Sequence, residues 1–151
     1  MKLSQLIGLY KEHAASQLLQ QALTDNPKSK IHFKGLVGSQ NALLAANISQ
    51  EVKRPHLFIL SDKEEAAYFL NDLESILQKE VLFFPGSYRR PYQIEETDNA
   101  NVLLRAEVLN TLNHHRHPII VSYPEALFEK VVSQKHLKQN CLDVKRGDTL
   151  T

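Results

Sequence analysis

The fold that this chain predicts is α/β, with a parallel sheet covered on both faces. Four short apolar runs, Ile31–Leu36, His56–Leu60, Val81–Phe84 and Pro118–Tyr123, recur along it, and each is followed by a segment with helical signals. Three of the four are nearly continuous in hydrophobicity, as strands buried on both faces are. Strands alternating with helices of this length imply right-handed crossovers and a three-layer domain, here from about residue 30 to 126.

Residues 1–29 precede that domain as a helical arm. Leu3, Leu6, Ile7 and Tyr10, then Ala14, Ala15, Leu18, Leu19, Ala22 and Leu23, fall at three- and four-residue intervals and predict one or two amphipathic helices. Gly8 and the His13–Ser16 stretch are candidate breaks, and Thr24-Asp-Asn-Pro-Lys-Ser29 supplies turn chemistry that ends the arm. After the second strand, Ser61-Asp-Lys-Glu64 reads as a capping box, and Ala66, Phe69, Leu70, Leu73, Ile76 and Leu77 form one apolar face. After the third, Val102, Ala106, Leu109 and Leu112, with Val108 alongside, do the same. Pro124 suits a first helical position before Leu127, Phe128, Val131 and Val132. Beyond it, Cys141-Leu-Asp-Val144 begins another strand-like run and Lys145-Arg-Gly-Asp148 turns. Residues 127–151 are therefore expected to be a connecting helix and the start of a second, small domain.

Composition bounds the function. The chain has 151 residues, 42% hydrophobic and 23% charged, with a net charge of +1. These values suit a globular domain that folds by burial. No apolar run approaches the roughly 20 residues that cross a bilayer, and the N-terminus lacks the charged, apolar and small-residue order of a secretory leader. A cytoplasmic protein that engages no membrane is the expectation. The single Cys141 forms no internal disulfide, which fits a reducing compartment. Basic residues are spread along the chain, without the dense Lys/Arg stripe that phosphate neutralisation demands of a nucleic-acid binder.

One stretch has the placing of a nucleotide site. Gly35-Leu-Val-Gly-Ser-Gln-Asn-Ala42 stands between a strand-like run and a helix-like segment. A working phosphate loop needs glycines so that backbone N–H groups wrap the phosphates, a lysine to neutralise them and a hydroxyl to hold magnesium. Gly35 and Gly38 fit a GxxGxGKT form of that loop. Gln40 stands where its third glycine belongs, Asn41 at the lysine and Ala42 at the hydroxyl. Losing the lysine removes a charge-assisted contact of roughly 1.5–3 kcal/mol, and losing the metal ligand disables phosphoryl transfer. The residue-level reading is a tight strand-to-helix turn with Ser39 capping the next helix.

The ordered series Phe33-Lys-Gly-Leu-Val-Gly-Ser-Gln-Asn-Ala-Leu-Leu44, Arg54-Pro-His-Leu-Phe-Ile-Leu60, Glu64-Glu-Ala-Ala-Tyr-Phe-Leu-Asn-Asp-Leu73 and Leu82-Phe-Phe-Pro85 resembles the N-terminal module of the bacterial transcription-repair coupling factors, the Mfd family. The resemblance continues through Pro91-Tyr92, Leu104-Arg-Ala-Glu-Val-Leu109, Ile119-Ile-Val-Ser-Tyr-Pro124 and Val144-Lys-Arg-Gly-Asp-Thr-Leu150. It implies a RecA-like three-layer fold similar to the nucleotide-binding end of the excinuclease subunit UvrB, interrupted by an inserted small domain that begins near the end of this chain. It also implies a degenerate phosphate loop, no cofactor in this segment, and ATP and magnesium used by motor domains elsewhere in the full-length protein. UvrB inserts a tyrosine-rich hairpin after the third strand. Here only Gln93-Ile-Glu-Glu-Thr-Asp-Asn-Ala100 follows Pro91-Tyr92.

The function implied is non-catalytic: recruitment of UvrA, mostly through the inserted domain, and autoregulation by packing against other domains of the same chain. RNA polymerase and DNA are partners of other parts of the full-length family protein. The alternative is a P-loop-type ATPase domain with an atypical loop, for which no acidic pair after an apolar strand completes a magnesium site. A third is direct DNA binding, against which the charge distribution stands.

Three further groups invite a role. Tyr88, Arg89, Arg90 and Tyr92 follow the third strand, where ligands of open α/β sheets gather, and Tyr and Arg are frequent binding anchors; they form a candidate interface. His114-His-Arg-His117 has a metal-ligand composition, but neighbouring helical positions diverge, and histidines that satisfy the last carbonyls of a helix are the simpler reading. Cys141, beside Leu142, reads as a small buried hydrophobe. No catalytic or metal-binding residue is assigned.

Overall fold

The computed structural model describes residues 3–26, 28–87, 98–114, 117–133 and 136. Its sheet has three strands among these residues: β1 (His56–Ile59), β2 (Leu82–Phe84) and β3 (Ile119–Ser122). The order is β1-β3-β2 and both pairings are parallel, with Leu57 and Leu82 in register with Ile120, and Ile59 and Phe84 with Ser122. Central β3 is buried along its whole length, which explains its unbroken Ile-Ile-Val.

The helices are α1 (Leu3–Glu12), α2 (Ala14–Asp25), α3 (Gln40–Glu51), α4 (Lys63–Leu77), α5 (Asn99–His114) and α6 (Pro124–Phe128). The arm breaks at His13, whose Nδ1 accepts the Ala15 N–H at 3.2 Å and caps α2. Both arm helices pack on α3. Lys11 pairs with Glu51 at 2.6 Å, and Arg54 donates to the Leu23 carbonyl at 3.0 Å.

α4 begins one residue later than the capping box read from sequence. Asp62 is the N-cap, accepting the Glu65 N–H at 2.8 Å, while the Glu65 carboxylate accepts the Ser61 N–H at 3.1 Å. Two helix-start donors are thereby satisfied from both sides. The predicted face turns inward, with Ala66, Phe69 and Leu73 buried and the Phe69 ring 5.4 Å from Phe58 of β1. The opposite face of the sheet receives α5, whose Arg105 guanidinium lies 4.1 Å from the centre of the Phe84 ring.

Three expectations fail. Ile31–Leu36 is not a strand: the stretch has no regular structure, and Ile31 and Leu36 are exposed. Its apolar residues alternate with His32 and Lys34, and Gly35 enters the left-handed region at φ 81°, so the extended run is broken and one-sided. The outer edge of β1 has no strand beside it among the described residues, and its Leu57 and Ile59 are 51% and 54% exposed. The second failure is part of the face expected of α5. Val108 is buried and Leu109 packs against the core as expected, but Arg105 is buried with them, whereas Val102, Ala106 and Leu112 face outward. Carbonyl acceptors for Arg105, set out below, rotate the helix from the purely apolar stripe. Third, α6 ends at Phe128, buries only Ala126, and leaves Leu127, Phe128, Val131 and Val132 exposed. Cys141–Val144 and the turn after it lie outside the described residues.

No described helix is long and apolar enough to cross a membrane.

Candidate functional site

The phosphate-loop stretch forms a turn closed by its own side chains. Gly35 and Gly38 have φ of 81° and 57°, the left-handed conformations in which glycine carries no Cβ penalty. After Gly38 the chain enters α3 directly. The Val37 N–H donates to the Gln40 side-chain oxygen at 2.9 Å, and the Ala42 N–H donates to the Asn41 side-chain oxygen at 2.8 Å. Those are the two residues that replace the third glycine and the lysine. Two backbone donors of the stretch, of the kind that a working loop turns toward phosphate oxygens, are here engaged within the chain.

Ser39 stands at the N-cap, yet makes no side-chain cap hydrogen bond. Its φ −76° and ψ 11° depart from the extended backbone of a capping residue, so the expected Ser39 cap is corrected to Gln40 and Asn41. Ala42 is fully buried in the core, where a metal-binding hydroxyl would have no path to solvent. Two clefts flank the loop, of about 440 and 370 Å³, walled chiefly by leucines of α1, α2 and α3 together with Phe33 and Phe58. Lys34 is the only Lys or Arg among their described lining residues.

A second constellation lies at the carboxyl ends of β2 and β3, and sequence reasoning missed it. Arg105 donates through Nη1 to the carbonyls of Pro85 at 2.7 Å and Ala126 at 3.0 Å, and lies 3.5 Å from the Glu129 carboxylate. Glu129 accepts from the Ser87 N–H at 2.8 Å and from the Ser87 hydroxyl at 2.6 Å. The Tyr123 hydroxyl accepts the Gly86 N–H at 2.8 Å, and Asn101 donates to the Gly86 carbonyl at 2.9 Å. Burial raises the Tyr123 pKa above its ordinary value, partly offset by the Gly86 hydrogen bond. A Cβ on Gly86 would stand 2.9 Å from the Glu129 carboxylate and 3.2 Å from the Tyr123 hydroxyl, so this turn requires glycine for close approach. Ser122 adds a link between strands, donating to the Phe84 carbonyl at 2.8 Å.

The network binds the end of β2 to α5, α6 and the residue after α6. It joins the Arg105 cation to the Glu129 anion, which also holds the Ser87 hydroxyl. The available sequence signal was a lone arginine within the apolar stretch Val102-Leu-Leu-Arg-Ala106.

Tyr88, Arg89, Arg90 and Tyr92 lie outside the described residues. The flanking positions are joined, because the Asp98 N–H donates to the Ser87 carbonyl at 2.8 Å. Of the histidine group, His114 has Nδ1 2.8 Å from the Asn110 carbonyl, the helix-end contact expected of it, and His117 is exposed. No group of three His, Cys, Asp or Glu side chains among the described residues could hold a metal. Comparison with protein-family models, curated proteins and solved structures finds no match to this chain.

Proposed function

We propose that this chain is the N-terminal, UvrB-like module of a bacterial transcription-repair coupling factor. In this reading it is a non-catalytic RecA-like scaffold that supports UvrA recruitment and autoregulation during transcription-coupled nucleotide excision repair in the cytoplasm. The motif series quoted above supplies the family. The observation that carries the non-catalytic part is the closed loop: Gln40 and Asn41, standing where a glycine and a lysine would serve a nucleotide, occupy the N–H groups of Val37 and Ala42. A parallel sheet with helices on both faces and a β1 edge unpaired among the described residues is compatible with a RecA-like sheet that continues beyond these strands.

Calorimetric titration with magnesium and ATP tests the scaffold reading. No heat and no thermal stabilisation at millimolar ATP is the expected result. Binding at micromolar concentration would replace the scaffold with a nucleotide-binding domain that has an atypical loop. Recruitment is tested separately by a chimera in which residues 1–151 replace the corresponding segment of a characterised coupling factor. Retained UvrA-dependent repair of the transcribed strand is expected, and its loss in a folded chimera counts against the reading.

A further inference from the structure

β1 bonds to β3 through alternate residues. The His56 N–H donates to the Pro118 carbonyl at 2.9 Å and the Leu60 N–H to the Ser122 carbonyl at 3.0 Å, so the backbone groups of His56, Phe58 and Leu60 face β3. Those of Leu57 and Ile59 point to the other side, where no strand stands among the described residues. The open row is bounded at both ends: Pro55 has no N–H, and the Ser61 N–H is taken by the Glu65 carboxylate at 3.1 Å. The half-exposed Leu57 and Ile59 side chains share the sheet face opposite Phe58, whose ring meets Phe69 of α4. An open apolar edge is a template for a further strand unless a charge or a proline blunts it, and His-Leu-Phe-Ile carries no Lys, Arg, Asp, Glu or Pro.

We infer that two copies of this chain associate through their β1 edges, as antiparallel strands about a twofold axis. The inference does not depend on the function proposed above. The same edge on both copies, related by a twofold axis, pairs only antiparallel. With the axis at Phe58, Leu57 of each copy lies opposite Ile59 of the other. This register pairs every outward N–H and C=O of the two residues within the joint. Moving the axis to Leu57 or Ile59 opposes one of them to Pro55 or Ser61, neither of which has a free N–H. The side chains agree, because Leu57 and Ile59 of the two copies then form one apolar cluster across the joint, the contact that stabilises neighbouring strands. Charge agrees as well. Lys53 and Arg54 precede the strand, while Asp62, Glu64 and Glu65 follow it with Lys63 among them. Antiparallel pairing brings the cationic end of one copy to the anionic end of the other.

The test is sedimentation equilibrium of the full 151-residue chain. So short a joint is at the small end of protein interfaces, so a Kd on the order of 100 µM is expected, with monomer prevailing at about 10 µM and dimer at about 1 mM. Leu57→Lys/Ile59→Lys and Leu57→Glu/Ile59→Glu should each weaken association at least about tenfold, because like charges then face one another. An equimolar mixture of the two variants should recover the dimer, since each Lys now faces a Glu. Both positions are half-exposed, and circular dichroism checks that the variants keep the fold. Amide exchange on the parent gives a reading that needs no variant. The Leu57 and Ile59 amides are expected to exchange freely at the lower concentration and to slow at the higher, whereas His56 and Leu60, bonded to β3, are protected at both. The proposal is overturned if the chain sediments as a monomer throughout, if either variant associates as the parent does, or if the mixture associates no better than its components. Protection of Leu57 and Ile59 in the monomer would show the edge already paired within the chain and overturns it as well.

Discussion

Replacing Glu129 with Ala examines a side chain that joins Ser87 to Arg105. The carboxylate is 16% exposed and its Arg105 partner 8%, so both charges sit largely out of water. Removing one partner of a buried pair typically costs about 3–5 kcal/mol, because the remaining charge stays uncompensated. Two features reduce that figure here. The separation is 3.5 Å, longer than a direct charge-assisted hydrogen bond, and Arg105 keeps the Pro85 and Ala126 carbonyls. One feature raises it: the Ser87 N–H and hydroxyl lose their acceptor, at about 1 kcal/mol for each hydrogen bond. The expected loss is about 3 kcal/mol, or roughly 6–12 °C in melting temperature for a domain of this size. Glu129→Gln, which keeps an acceptor oxygen but not the charge, should lose less, about 1–2 kcal/mol. Urea denaturation followed by circular dichroism measures both. Lys11→Ala, which breaks an exposed ion pair, is the control and should change stability by less than about 1 kcal/mol. If Glu129→Ala unfolds within about 0.5 kcal/mol of the parent, the range ordinary for surface substitutions, the network contributes nothing to stability and the reasoning fails.

Other outcomes follow from the same geometry. Gly86→Ala brings a methyl carbon to 2.9 Å from the Glu129 carboxylate, so its melting temperature should fall, with stability down by about 1–3 kcal/mol. Tyr123 has its pKa raised in the fold, so its stabilising contribution is complete below pH 10.0, the ordinary value, and is lost as pH climbs through the raised folded value. Denaturation curves between pH 9 and 11 should therefore show an alkaline decline that Tyr123→Phe lessens; an identical decline in the variant excludes Tyr123 as its source. Ala42→Thr introduces a branched, polar side chain at a fully buried site and should destabilise by about 1–3 kcal/mol, read by thermal melting. The loop variant Asn41→Lys/Ala42→Thr should likewise melt below the parent without ATP, and an unchanged midpoint would show that the loop accepts a working sequence at no cost.

The sequence was informative where one local pattern determined one local structure. Continuous hydrophobicity at Ile119-Ile-Val identified a strand buried on both sides, and the acidic residues around Lys63 located the start of α4 to within one position. It misled where partners came from elsewhere in the chain. Ile31–Leu36 has the composition of a strand but no neighbour to pair with among the described residues, and strand formation depends on that neighbour. Arg105 drew no role from the sequence because the acceptors that bury it, Pro85 and Ala126, lie 20 and 21 positions away. At the loop, the loss of a glycine, a lysine and a hydroxyl could be read directly. That Gln40 and Asn41 would occupy the vacated geometry could not, since it depends on the turn that the two left-handed glycines make.

The single hydrogen bond from the Asp98 amide to the Ser87 carbonyl separates the length of the intervening chain from the architecture around it. The strand before it and the helix after it are also tied to each other by the Arg105 guanidinium over the Phe84 ring, and Asp98 accepts the Ala100 N–H where that helix starts. Closing a longer flexible excursion at such a junction costs only about 0.6 kcal/mol for each doubling of its length. Segments of different length inserted between Ser87 and Asp98 are therefore expected to leave the pairing of β2 with β3 in register.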